Sequence, residues 1–259
     1  MRRPVSEPQA LARAARWPLA VLMPAALASA VVFTLVGAGY GWGLPLWARV
    51  DATTNQEWVA GALAHPRWAD LVRATTFWGN TPVVVAVTVV VVGWQLYRRR
   101  HLVALWVATT VVLGWLVNHA AKASVDRVRP PSVGLLADAS GSSFPSGHAQ
   151  VAGYGWVTYG LLALLVVAGR RRWAVAVGCW ALGSLVALSR VVLGVHWASD
   201  VVAGYALGVG VALLSASVLV VTARGRARSV LEGDPGHRDR VEAEHLAEEG
   251  QLGLEGDDL

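Results

Sequence analysis

The chain has 259 residues, 55% of them hydrophobic and 15% charged, with a mean hydropathy of +0.47. That is the profile of an integral membrane protein and excludes an ordinary soluble domain. A net charge of +5 and a pI near 10 could suit nucleic acid, but the basic residues punctuate apolar stretches without interleaved groove-reading elements, so no nucleic-acid partner is expected.

Residues 1–17 read as a cytoplasmic N-terminal segment. An apolar run over 18–40 follows. Ala28, Ser29 and Ala30 resemble a signal-peptide cleavage site, but the run continues to about Gly39, which predicts an uncleaved span. In 41–81, Trp58, Ala62, Leu63, Trp68, Leu71 and Val72 recur at roughly helical spacing, which predicts short interfacial helices on the membrane surface. Trp42 and Trp47 suit an aromatic belt. Apolar stretches at 82–97, 102–119, 150–168, 173–189 and 201–222 complete six that reach or approach the roughly 20 residues needed to cross a bilayer. Each must be helical, because a span in lipid has to satisfy its own backbone groups. The single cysteine, Cys179, lies in one of these runs, reads as a small buried hydrophobe and excludes a disulfide framework. The expected fold is all-α: a polytopic six-transmembrane-helix bundle over 18–222 with short interfacial helices in its first outer loop. Residues 223–259 lose apolar periodicity and carry ten acidic residues against five arginines, predicting a disordered acidic cytoplasmic tail. No internal repeat is evident.

Orientation follows from the excess of basic residues on the cytoplasmic side of membrane proteins. Arg2, Arg3, Arg13 and Arg16 precede the first span, Arg98–Arg100 separate the second and third, Arg170–Arg172 the fourth and fifth, and Arg224, Arg226 and Arg228 follow the sixth. With six spans these clusters share one side. Both termini are then cytoplasmic, and 41–81, 120–149 and 190–200 face out of the cell from the plasma membrane.

Outer loops should be poor in basic residues, yet the second holds Lys122, Arg127 and Arg129 and the third Arg190, His196 and Asp200. Lys122 is the only lysine against 21 arginines, which suggests a position wanting a compact point charge. Lys122 and Arg129 lie seven apart, two turns on one helical face if the third span continues outward; Pro130 turns the chain there. Together with Arg190 they make a cluster of three cations that calls for an anion, of which phosphate is the natural choice. Pro145, Ser146 and Gly147 stand where the fourth span begins, so backbone N–H groups of a helix N-terminus favour the same anion. His196 and Asp200, four apart, would meet on one helical face, the carboxylate fixing the imidazole tautomer and freeing its other nitrogen as nucleophile or base. His148 supplies a second imidazole for acid catalysis. A metal bound by His148, His196, His119 and Asp200 is the competing use, disfavoured by the converging cations, and no metal or cofactor is expected.

Three motifs stand in order: Lys122 with Arg129-Pro130 (K-x6-RP), Pro145-Ser146-Gly147-His148 (PSGH), and Ser189-Arg190 with His196 and Asp200 (SR-x5-H-x3-D). In these the chain resembles the type 2 phosphatidic acid phosphatase family, membrane relatives of bacterial acid phosphatases and vanadium haloperoxidases. The resemblance covers 122–200; residues before 82 and the tail carry no signature. It implies that His196 forms a phosphohistidine, that Asp200 orients it, and that His148 protonates the leaving oxygen and then activates water. Lys122, Arg129, Ser146, Gly147 and Arg190 would hold the phosphate oxygens. The expected activity is hydrolysis of a lipid phosphomonoester or diphosphate, of the undecaprenyl diphosphate or phosphatidate type. A phosphotransferase with a lipid or sugar acceptor would use the same residues. A non-catalytic phospholipid-binding protein would not need the His196–Asp200 pair, and six spans argue against a haloperoxidase. Oligomeric state is not legible.

Overall fold

The structure, a computed structural model, describes residues 4–41 and 43–232. Within them the chain forms α1 (Glu7–Ala15), α2 (Leu19–Gly41), α3 (Pro45–Ala64), α4 (Pro66–Phe77), α5 (Thr81–Tyr97), α6 (His101–Ser124), α7 (Gly147–Val166), α8 (Arg171–Val192) and α9 (Ala198–Glu232). Trp42 lies outside the described residues. A proline opens α3, α4 and α5 in the first or second helical position, where its fixed φ is already helical and its missing N–H costs nothing.

Among the described residues, five helices, α2, α6, α7, α8 and α9, are long and apolar enough to cross a bilayer. The expected 82–97 span is not one of them. Its helix α5 has 17 residues and reaches crossing length only together with α4, from which it is bent by 51° across residues 78–80. The all-helical bundle therefore stands with five or six crossings, the sixth being a broken one. The first outer segment is helical as expected, but α3 runs for 20 residues, longer than the short helices anticipated.

The central helix is α7, nearly all of whose residues are buried against α8, α9 and α6. Val151, Tyr154 and Leu165 from α7 join Val84 of α5, Val103 and Val107 of α6 and Val186 of α8 in one apolar core. Helices in lipid gain little from hydrophobic burial against each other, so close approach through small residues matters most. A side chain at Gly204 of α9 would run into the Ser146 carbonyl, and the glycine lets α9 press against the start of α7. Along the other side α9 packs lengthwise on α2.

Connectivity puts the three motifs at one end of the bundle and Arg98–Arg100, Arg170–Arg172 and Arg224–Arg228 at the other. That arginine-rich end is closed by α1. Arg13 donates to the carbonyls of Leu165 (2.9 Å) and Val167 (3.0 Å), Arg100 to Val5, and Arg224 to Ala15 (3.0 Å) and Trp17 (2.9 Å). These contacts explain one departure from the sequence reading. The tail was expected to lose structure at 223, but α9 continues to Glu232, because ARGRARSVLE is rich in good helix formers and Arg224 is anchored on α1. Residues 233–259 lie outside the described residues.

Candidate active site

Each motif residue arrives from a different element. Lys122 closes the last turn of α6, which extends past the expected 119 to Ser124. The helix stops there, so Arg129 is not on its face as the seven-residue spacing suggested; it lies in the irregular segment leading to α7. The β-branched Val125 and the Pro130-Pro131 pair oppose helix in that stretch. The two cations converge all the same, since Lys122 Nζ (3.3 Å) and Arg129 Nη2 (3.2 Å) both donate to the Ser142 carbonyl. Arg129 is held further by the carbonyls of Gly141 (3.0 Å), Ser140 (2.8 Å) and Val195 (2.7 Å).

Ser146 is the N-cap of α7 and Gly147 its first residue, as expected of a helix-terminus anion site. Arg190 sits in the last turn of α8. Gly194, at φ +69, ends α8 in the left-handed conformation that suits glycine, and the turn delivers His196 back over the bundle.

His196 therefore precedes α9 rather than riding on it, and Asp200 is the third residue of that helix. His196 Nδ1 stands 3.6 Å from Asp200 Oδ2, too far for a hydrogen bond. Ser143 fills the relationship: its hydroxyl donates to Asp200 Oδ2 and lies 3.5 Å from His196 Nδ1. On the other side of the ring, Arg129 Nη1 reaches His196 Nε2 at 3.2 Å. A guanidinium can only donate, so Nε2 presents its lone pair to the cations and Nδ1 carries the proton. Burial, with the charges of Arg129 and Arg190 adding to it and Asp200 opposing, lowers the His196 pKa to about 4, so the imidazole is neutral and nucleophilic at physiological pH.

Asp200 is fully buried and held by three donors: Arg127 Nη1 (2.5 Å), the Ser143 hydroxyl and the Trp197 N–H (3.0 Å). Arg127, noticed in the sequence only as an outer-loop cation, turns out to be an ion-pair bridge. Its second nitrogen meets Asp51 of α3 at 2.7 Å, its face covers the Tyr40 ring at 4.3 Å, and Asp51 also accepts from the N–H (2.9 Å) and hydroxyl (2.6 Å) of Ser199.

His148 Nε2 is 2.9 Å from Asn80 Oδ1, at the N-cap of α5, and lies within electrostatic reach of Arg190, His196, Lys122 and Arg129. Arg190 Nη1 donates to Thr76 Oγ1 (2.8 Å), while its Nε, like Ser146 Oγ, is buried without a hydrogen-bond partner. Buried donors left unpaired are unusual in a folded protein and are what an incoming anion would satisfy. All eight sequence-nominated residues thus stand at one end of the bundle. His119 does not join them: it is exposed, bonds to the Trp115 carbonyl at 2.9 Å and lies tilted against that indole, ring centroids 4.2 Å apart. Asp51, Thr76, Asn80 and Ser143 were not nominated. Only the turn-forming Gly79-Asn80-Thr81-Pro82 run marks one of them in the sequence, as a helix start.

Residues 103–223 match the PAP2 superfamily. The chain is 28% identical over 152 residues to phosphatidylglycerophosphatase B of Bacillus subtilis, a stretch covering 58% of this chain and 74% of that protein. It is 27% identical over 128 residues to the undecaprenyl-diphosphatase of Sulfolobus acidocaldarius (48% and 58%), and 30% identical over 114 residues to lipid phosphate phosphatase gamma of Arabidopsis thaliana (42% and 50%). Among solved structures, the fold resembles a transmembrane PAP2-type phosphatidylglycerolphosphate phosphatase from Bacillus subtilis, with a TM-score of 0.65 at 22% identity, over 79% of this chain and 96% of that one.

Proposed function

We propose that this chain, which carries a PAP2 superfamily domain, is a metal-independent membrane lipid phosphatase working through a phosphohistidine. The observation that carries the reading is the state of His196. Its Nε2 lone pair faces a guanidinium while Nδ1 is turned toward Ser143 and Asp200. In the first step Nε2 attacks phosphorus, the N–P bond forms, the P–O bond to the lipid breaks, and His148 delivers a proton to the departing oxygen. In the second step His148 takes a proton from water, whose oxygen attacks phosphorus and frees Nε2, releasing inorganic phosphate from a monoester and from a diphosphate alike. Lys122, Arg129 and Arg190, with Ser146 and the N-terminus of α7 at Gly147, hold the equatorial oxygens, where preorganised charge does most of the catalytic work. Asp200 and Ser143 hold the imidazole in its productive tautomer.

The substrate class is a lipid phosphomonoester or diphosphate, of the undecaprenyl diphosphate or phosphatidate type. The arginine clusters at the opposite end of the bundle favour a site on the outer face with both termini in the cytoplasm. The test is to incubate purified protein with a panel of radiolabelled lipid phosphates, with and without an alcohol acceptor. Released phosphate and an acid-labile, base-stable label on the protein that is lost in His196→Ala support the reading. Turnover that survives in His196→Ala refutes it.

A further inference from the structure

Asn118 stands one helical turn before Lys122 on the same face of α6, and only 8% of its surface is exposed. Its Oδ1 is buried without a hydrogen-bond partner. The amide faces the start of α7. A Cβ built on Gly147 would meet Lys122 Cε at 3.4 Å, Asn118 Nδ2 at 3.5 Å and Asn118 Oδ1 at 3.8 Å. The amide, the lysine stem and the first residue of α7 therefore converge on one point, at the edge of the cationic cluster. Deeper along α6 the residues buried in the core are apolar, Val103, Val107 and Val111. A buried amide with an unused acceptor is costly in a membrane span and marks a position that serves a ligand.

We infer that Asn118 is a further phosphate-binding residue, its Nδ2–H donating to the oxygen shared by Lys122 and the N-terminus of α7, an inference that rests on the phosphatase reading. Lys122 has three N–H donors and spends one on the Ser142 carbonyl. A second can then serve the anion and a third Asn118 Oδ1, so that both amide atoms are paired when the site is loaded. The side chain is neutral, and it adds a hydrogen bond where a fourth cation would be disfavoured by its neighbours. Other buried polar atoms without partners lack this placement. Gln150 lies a turn deeper on α7, with its amide nitrogen 3.4 Å from the Gly114 carbonyl. Thr158 is eleven residues past Gly147 (158 − 147), or about 16 Å along the helix.

The test is orthovanadate binding to purified protein in detergent, measured by titration calorimetry beside thermal unfolding. Asn118→Leu removes the amide at nearly constant volume. Affinity should fall about tenfold or more, the effect of one hydrogen bond to a charged group. The unfolding temperature should hold or rise, because an unpaired buried amide gives way to an apolar side chain. Asn118→Asp keeps the shape but turns acceptor oxygens toward the anion, and should bind more weakly still. Thr158→Val, which removes an unpaired hydroxyl far from the cradle, should stay within about twofold of wild type. Affinity within about twofold of wild type in Asn118→Leu or Asn118→Asp, or an equal loss in Thr158→Val, would overturn the inference. So would a leucine variant that melts early or does not fold, since the amide would then be joining α6 to α7. Binding also separates this question from turnover. Wild-type protein that binds vanadate through Asn118 but forms no phosphohistidine refutes the phosphatase reading and leaves Asn118 an oxyanion contact, whereas wild type that binds no vanadate refutes both.

Discussion

Asn80 offers the most informative perturbation, because it lies in a segment without any motif yet touches the proposed acid. Its Oδ1 is 2.9 Å from His148 Nε2. Although Asn80 occupies the N-cap of α5, its side chain makes no capping bond there, so replacing it should cost the helix little. Asn80→Ala removes the partner of a half-buried ring nitrogen. Leaving such a group unsatisfied costs about 1–3 kcal/mol, and at about 1.4 kcal/mol per decade that is roughly fivefold to somewhat over a hundredfold in rate. The loss should fall on the step in which His148 protonates the leaving oxygen. The assay is therefore kcat on two monoesters: an alkyl phosphate, whose alkoxide needs the proton, and an aryl phosphate, whose phenolate leaves unaided. The alkyl ester should lose the full range of about fivefold to a hundredfold and the aryl ester less than about threefold. Asn80→Asp, which keeps an acceptor oxygen in place, should recover more of the alkyl activity than alanine does. Equal losses on both esters would show that Asn80 supports the fold and not the acid, and the assignment would be abandoned.

Lys122→Ala, Arg129→Ala and Arg190→Ala should each lower kcat by about 10²-fold or more, and pairs should cost less than the sum, because in the proposed mechanism the three cations act on one phosphate. Since burial, Arg129 and Arg190 hold the His196 pKa at about 4, the acid limb of kcat/KM should fall well below the about 6.5 of a free imidazole; activity is lost as pH drops through the lowered value and His196 gains a proton. Arg129→Gln removes one of the charges that lower it and should move that limb to higher pH, and an unmoved limb would mean another group sets it. Activity should survive EDTA and be inhibited by vanadate; abolition by chelator with recovery on adding zinc or magnesium would contradict the phosphohistidine route. Reporter fusions after residues 100 and 172 should report cytoplasm and fusions near 135 and 195 the outside, and the reverse pattern would move the site to the inner face.

The candidate site was legible where it is written in short, ordered motifs of distinctive residues. Lys122, Arg129, Ser146, Gly147, His148, Arg190, His196 and Asp200 could be nominated from type and spacing because phosphate chemistry needs cations, a helix end and imidazoles. Their local geometry was less legible. Helical spacing suggested a direct His196–Asp200 contact, but Gly194 ends α8 early enough that His196 falls in a turn, and Ser143 fills the gap. Nothing in the sequence links Ser143 to residues 53 and 57 positions later. The contacts of Asp51, Thr76 and Asn80 were hidden for the same reason: each is one ordinary polar residue whose partner, Arg127, Arg190 or His148, is at least 68 residues away, and the turn at Asn80 signals only a helix start. The bend at 78–80 was equally hidden, because an apolar stretch of 16 residues reads as a short span whether or not a second helix completes it.

Those three contacts give the unsigned first third of the chain a definite task. Asp200 spends its acceptor capacity on Arg127, Ser143 and the Trp197 N–H, which fixes the carboxylate in one orientation beside His196. Arg127 bridges the two carboxylates, its Nη2 donating to Asp51 as Nη1 does to Asp200, and a buried ion pair that loses one partner is destabilised by about 3–5 kcal/mol. Asp51 in turn bonds to Ser199 in the first turn of α9, the helix that carries Asp200. Helix α3 therefore positions Asp200, while the α4–α5 bend positions His148 through Asn80 and Arg190 through Thr76. In the proposed mechanism the motif residues supply the reacting atoms, and the preceding helices supply the geometry that would make them act on one phosphorus.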